Sequence, residues 1–217
     1  MSRHPAPEEL LLDYAAGALA QGPALAVALH VALDADARRT VERLGALGGA
    51  LMESSEEAAV DEAALQRTLA RLDGIAVEPR PAPYVPRPGF EWAPAPLAHR
   101  IGAEAKWRRV LGGFEEIRLR LPHDSHRVSL LRLEPGRGLP VHRHVGAEYT
   151  VVLQGGYTDT TGNYGVGDFA VGPGPEQHEP IADPGPPCIA LIVLEQPIVL
   201  TGPFGRWLNP LVRRDLI

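Results

Sequence analysis

Three histidines and one glutamate in the second half of the chain have the types and spacing to do chemistry. His142 and His144 stand two apart, so on a strand both rings face the same side. Glu148 follows at even spacing just past the Gly146 turn signal, and His178 is supplied by a later strand. Neutral imidazole and charged carboxylate each offer a lone pair to a cation at roughly 2 Å, so the four together form a site for a divalent metal. A closed shell of this composition favours zinc, whereas added waters favour iron or manganese, with nickel a further option. The single cysteine, Cys188, excludes an internal disulfide framework and a Cys-rich zinc module. At the start of the apolar run CIALIV it reads as a small buried hydrophobe.

These side chains need short strands to position them. From about residue 107 the apolar period is two, with strands predicted over 107–110, 116–121, 127–133, 148–153, 169–171 and 189–194, divided by Gly, Pro and Asp turns. Many short strands with frequent turns predict an antiparallel sandwich or barrel. The first third has helical periodicity instead. Helices are predicted over 8–20, over 23–33 (apolar almost all round, hence buried between neighbours), from about Asp36 through Met52, and over 62–72, packed as a compact bundle. Between the two halves, residues 79–96 hold seven prolines, which suits an extended spacer.

The chain of 217 residues is 45% apolar and 22% charged, as expected of a globular protein. No run approaches 18 uninterrupted apolar residues, and the N-terminus lacks the layout of a signal peptide, so a cytoplasmic protein without a membrane span is expected. All of the net charge of −6 lies in residues 1–73, which carry twelve acidic and six basic residues. This excess argues against direct nucleic-acid contact there and suits a basic partner, although the base rate for surface charge favours a solvated acidic face kept for solubility.

Two stretches carry a family resemblance. Gly136-x5-His142-x-His144-x3-Glu148-x6-Gly155 resembles the first cupin motif, and Gly167-x5-Pro173-x-Pro175-x2-His178 resembles the second. Pro175 stands where the family usually has Gly, and no Asn lies four residues after His178, but neither departure removes a ligand. The N-terminal text LLLDYAAGALAQ…ALAVALHVAL…GALGGALMES ahead of such a module resembles the ChrR-type anti-sigma factors. The resemblance implies an α+β multidomain chain, a small all-α helical bundle over 1–75, a Pro-rich linker over 76–96, and an all-β cupin (double-stranded β-helix or jelly-roll barrel) over 97–217. It implies that residues 1–75 sequester an extracytoplasmic-function sigma factor. The metal-binding cupin would sense oxidative stress, either singlet oxygen or organic hydroperoxide. The family also holds zinc in its first domain with an N-terminal His and a His-x3-Cys-x2-Cys run. Here that run reads His30, Asp34 and Ala37, and His4 is one residue further from Tyr14 than the family spacing. With both thiolates gone, a site formed by His4, His30 and Asp34 is expected to be weak or lost, leaving His30 packed and bonded to Asp34.

A different class of function fits the same residues. Three His and one Glu with open coordination positions suit dioxygen chemistry, which would make the chain a metal-dependent, dioxygenase-like cupin enzyme with a vestigial N-terminal domain. Nothing beyond the four ligands stands out as a catalytic acid or base, so the regulator is the leading expectation. A homodimer through the cupin is compatible with either reading.

Overall fold

The computed structural model describes residues 2–75, 87–110, 113–172, 176–201, 207 and 209–213. Helix α1 (Glu8–Ala15) stops well short of the expected Ala20, because Gly17 takes a left-handed conformation (φ 69°) that ends the helix. Helix α2 (Gln21–Leu33) carries Pro23 in its first turn, where the missing N–H is not needed. Asp34 caps α3 (Ala35–Glu53), accepting from the backbone N–H of Asp36 and Ala37. Helix α4 spans Ala64–Asp73 and the single-turn α5 spans Ala95–Ala98.

Eleven short strands follow among the described residues. The main sheet has six, in the order β1 (Arg108–Arg109), β2 (Glu115–Leu119), β3 (Arg127–Leu133), β10 (Cys188–Leu194), β5 (Glu148–Gln154) and β8 (Phe169–Val171). The opposite wall is built from β7 (Asn163–Gly165), β6 (Gly156–Thr158) and β9 (Ile181–Ala182), together with the pair β11 (Val199–Leu200) and β4 (His142–Arg143). A short helix, α6 (Asn209–Arg213), packs near β11.

Each long central strand buries both faces. On the outer face, Val128 and Leu130 of β3, Ile189, Leu191 and Val193 of β10, and Val151 and Leu153 of β5 share one core with Leu25, Leu29 and Leu97 from α2 and α5. On the inner face, Leu131, Ala190 and Ile192 line the interior of the barrel. This two-sided burial explains why β10 reads as an unbroken apolar run rather than an alternating one. The all-round apolar α2 is indeed buried, and among its neighbours is the barrel itself.

The helical region and the cupin-type barrel therefore appear in the expected order, but the four helices do not form one compact bundle. Helices α1, α2 and α3 pack on one another, whereas Leu65, Leu69 and Leu72 of α4 are all exposed. Within the expected spacer, residues 76–86 lie outside the described residues. The remainder, 87–96, is folded rather than extended. Phe90 and Trp92 pack with Trp107, Arg87 lies over the Phe90 ring, and Ala93 is buried. Aromatic residues interleaved with the prolines give this stretch apolar surface to bury, which outweighs the tendency of prolines to stay extended.

Candidate metal centre

The first strand of the site, β4, holds His142, and β5 begins with Glu148. The two sequence motifs are joined by the backbone. The N–H of His142 donates to the His178 carbonyl at 3.2 Å, and the His178 N–H returns the bond at 3.1 Å. Antiparallel pairing thus sets two residues that are 36 positions apart side by side. His142, His144, Glu148 and His178 are all buried, and one ligand atom from each lies within 4.8 Å of every other. His144 Nε2 is 2.6 Å from Glu148 Oε2 and 2.9 Å from His178 Nε2.

The groups around this cluster decide which atoms face inward. Carbonyl and carboxylate oxygens only accept, so the Nδ1–H of His142 donates to the Pro140 carbonyl (2.7 Å) and that of His178 donates to Asp159 Oδ2 (3.1 Å). Both rings are left with a bare Nε2 lone pair. Thr150 Oγ1 donates to Glu148 Oε1 at 2.9 Å, while Glu148 Oε2 has no well-aligned hydrogen bond. Donor atoms bound about 2.1 Å from one ion at right angles are about 3 Å apart, so the two short separations at His144 Nε2 suit donors that share a cation. Burial pushes the His142 imidazole down to about 4, which keeps it neutral at neutral pH. Burial alone would raise the Glu148 carboxyl, but the adjacent His144 and His142 rings and the Thr150 hydroxyl outweigh it, and the group lies below the usual carboxylate range. His142 and Glu148 are therefore held in the forms, neutral imidazole and carboxylate, that metal binding requires.

Asp159 has no signature in the sequence, where TDTTG reads only as a turn. Its Oδ1 accepts from the N–H and hydroxyl of Thr161, which leaves Oδ2 aimed at His178. Gly172 is similar: its N–H donates to the Glu148 carbonyl, and a Cβ at this position would lie 2.8 Å from Glu148 Cβ. Pro173 and Pro175 of the second motif lie outside the described residues. Beside the cluster is a cavity of about 40 Å³, walled by Leu131, Leu133, Leu139, Ala190 and Ile192 and reaching Tyr157 and Cys188. Burial raises the Cys188 thiol to about 12, so it behaves as the buried hydrophobe expected from its position.

His4, His30 and Asp34 do not come together as ligands. His30 is fully buried; its Nδ1–H donates to the Gly167 carbonyl (2.8 Å) and its Nε2 accepts from the Ala6 N–H (3.1 Å). Its side chain is thus bonded to backbone on two sides and not to Asp34 as expected. The Asp34 carboxylate is occupied with capping α3 and with the N–H of Ser2. His4 packs against the Tyr164 ring at a tilt of 35°, with Nε2 3.2 Å from the Asn163 carbonyl.

A jelly-roll barrel with three histidines and a glutamate gathered from two motifs defines the cupin class. Residues 100–197 match the family described as the ChrR cupin-like domain. The chain is 34% identical over 215 residues to the anti-sigma-E factor ChrR of Cereibacter sphaeroides, covering 97% of this chain and 98% of that protein. The crystal structure of Rhodobacter sphaeroides SigE in complex with the anti-sigma ChrR superposes with a TM-score of 0.75 at 33% identity, covering 88% of this chain and 98% of that one. This chain belongs to the ChrR family of anti-sigma factors.

Proposed function

We propose that the chain is a cytoplasmic anti-sigma factor. It sequesters an extracytoplasmic-function sigma factor on the exposed apolar faces of α3 and α4, and its cupin cluster holds zinc as the sensing element for an oxidative signal. The full-length likeness to a protein solved with its sigma factor carries this reading. The surface supports it: Leu47, Leu51 and Met52 of α3 and Leu65, Leu69 and Leu72 of α4 recur at spacings of one, three and four and are all exposed. Two amphipathic faces left open in this way suit an apolar partner surface. The acidic balance of residues 1–73 adds long-range attraction for a basic partner. On this reading the chain performs no catalysis.

The test is binding of the full chain to the extracytoplasmic-function sigma factor of the same genome. Replacing both Leu51→Asp and Leu69→Asp is expected to weaken binding at least a hundredfold with the melting temperature unchanged. Equal affinity of variant and parent would remove these faces from the interface. A second reading, a cupin metalloenzyme, rests on the cavity beside the cluster, which admits a ligand of two or three heavy atoms. Turnover of a hydroperoxide or a diketone by the zinc- or iron-loaded chain would favour it.

A further inference from the structure

Residues 2–6 are held by side chains from both halves of the molecule. Asp34, at the start of α3, takes the N–H of Ser2 at 2.7 Å. Asp168, in the turn between β7 and β8, takes the N–H of Arg3 at 2.6 Å and of His4 at 3.1 Å with one oxygen, and that of Gly165 with the other. His30 of α2 takes the N–H of Ala6 and donates to Gly167 in the same β7–β8 turn. The His4 carbonyl then accepts from the N–H of Phe169, the first residue of β8. Asp34, Asp168 and His30 are each at most 3% exposed. The amides of residues 2, 3, 4 and 6 captured by three buried polar side chains make an intramolecular joint, because Asp34 Oδ2, Asp168 Oδ1 and His30 Nε2 would each lose their bonded N–H if the strap departed.

The same short strand touches the metal cluster at its other end. Val171 of β8 pairs with Tyr149, and the next residue, Gly172, donates to the Glu148 carbonyl. We infer that residues 2–6 form a clasp joining α2 and α3 to β8, and that β8 transmits the occupancy of the cluster to the helices through this clasp. The inference rests on the reading of His142, His144, Glu148 and His178 as a metal site. With a cation bound, Glu148 would be held against the three histidines, and the start of β5 with it. Through the Gly172 N–H on the Glu148 carbonyl, the same restraint would reach the end of β8 and give the strap a rigid edge to bond.

Hydrogen exchange of the full chain, read by mass spectrometry on peptides covering residues 2–6, 165–172 and α2, tests this. Samples are compared with zinc bound and after chelation, with metal content measured on each. The zinc-bound chain is expected to protect the amides of residues 3, 4 and 6. Chelation should speed their exchange at least tenfold while α4 is unchanged. Asp168→Ala should do the same with zinc still bound. Deletion of residues 2–5 should speed exchange in α2 and at Phe169. Fast exchange of residues 3–6 in the zinc-bound chain overturns the clasp. Unchanged exchange after verified removal of the metal overturns the coupling. A chain that takes up no zinc refutes the metal reading instead, and the two variants still decide the clasp.

Discussion

Asp159 shows how much a single side chain outside a ligand set controls. A histidine can bind a metal through either nitrogen, and the Nδ1–H···Oδ2 bond to Asp159 commits His178 to Nε2. Burial would raise the Asp159 carboxyl, but the Thr161 and His178 hydrogen bonds outweigh it and hold it below its ordinary range, so it is an anion at neutral pH. Asp159→Asn keeps the shape but loses the charge that strengthens the imidazole. We expect zinc affinity to fall about 10- to 100-fold, measured by competition with a chromogenic chelator, with circular dichroism unaltered. If the variant holds zinc as tightly as the parent, Asp159 is a turn residue and nothing more.

Among the helices, α2 carries the most packing. Leu29 is fully buried, and truncating it to Ala is expected to cost about 3 kcal/mol in chemical denaturation. Gly22 brings the start of the helix against the sheet: a Cβ there would lie 3.1 Å from both Val128 and Val193. A loss much below 1 kcal/mol for Leu29→Ala would mean that the helix–sheet contact is loose. The β1–β2–β3 edge depends on Glu116, whose side chain is 2% exposed and which accepts from Arg108, Arg127 and Ser129. Burial raises this carboxyl, but those partners outweigh burial and bring it down to about 2 from its usual 4.5. The unfolded chain therefore takes up the proton first as pH falls. The stability contributed by Glu116 is complete above about pH 4.5 and is lost as pH drops toward 2. Urea melts across that window should show a steep loss for the parent. The loss should be shallower for Glu116→Gln, which is also expected to be about 2 kcal/mol weaker at pH 7. Parallel curves would exclude Glu116 as the titrating group.

At the scale of the molecule, the helices and the barrel share one apolar core rather than meeting through a bare linker. Residues 97–217 expressed alone would expose the outer face of the six-stranded sheet. That fragment is expected to bind a hydrophobic dye and to melt well below the full chain. A fragment that is dye-silent and as stable as the parent would show that the outer face does not need the helices. The clasp at residues 2–6 adds polar contacts between barrel and helices to this shared core.

Most of this could be read locally. The spacing of His142, His144 and Glu148, the strands 127–133 and 169–171, the all-round apolar α2 and the apolar periodicity of α3 depend on residues near one another in the chain, where strand and helix periods set which side chains share a face. Other features are contacts between distant segments, and no local pattern encodes them. Asp159 meets His178 only because β6 and β9 pair, and Asp168 meets residues 3 and 4 only because the N-terminal strap runs along β8. Leaving α4 exposed while α2 is covered on several sides was likewise settled by the fold, since an amphipathic helix shows that it has an apolar face but not what will bury it.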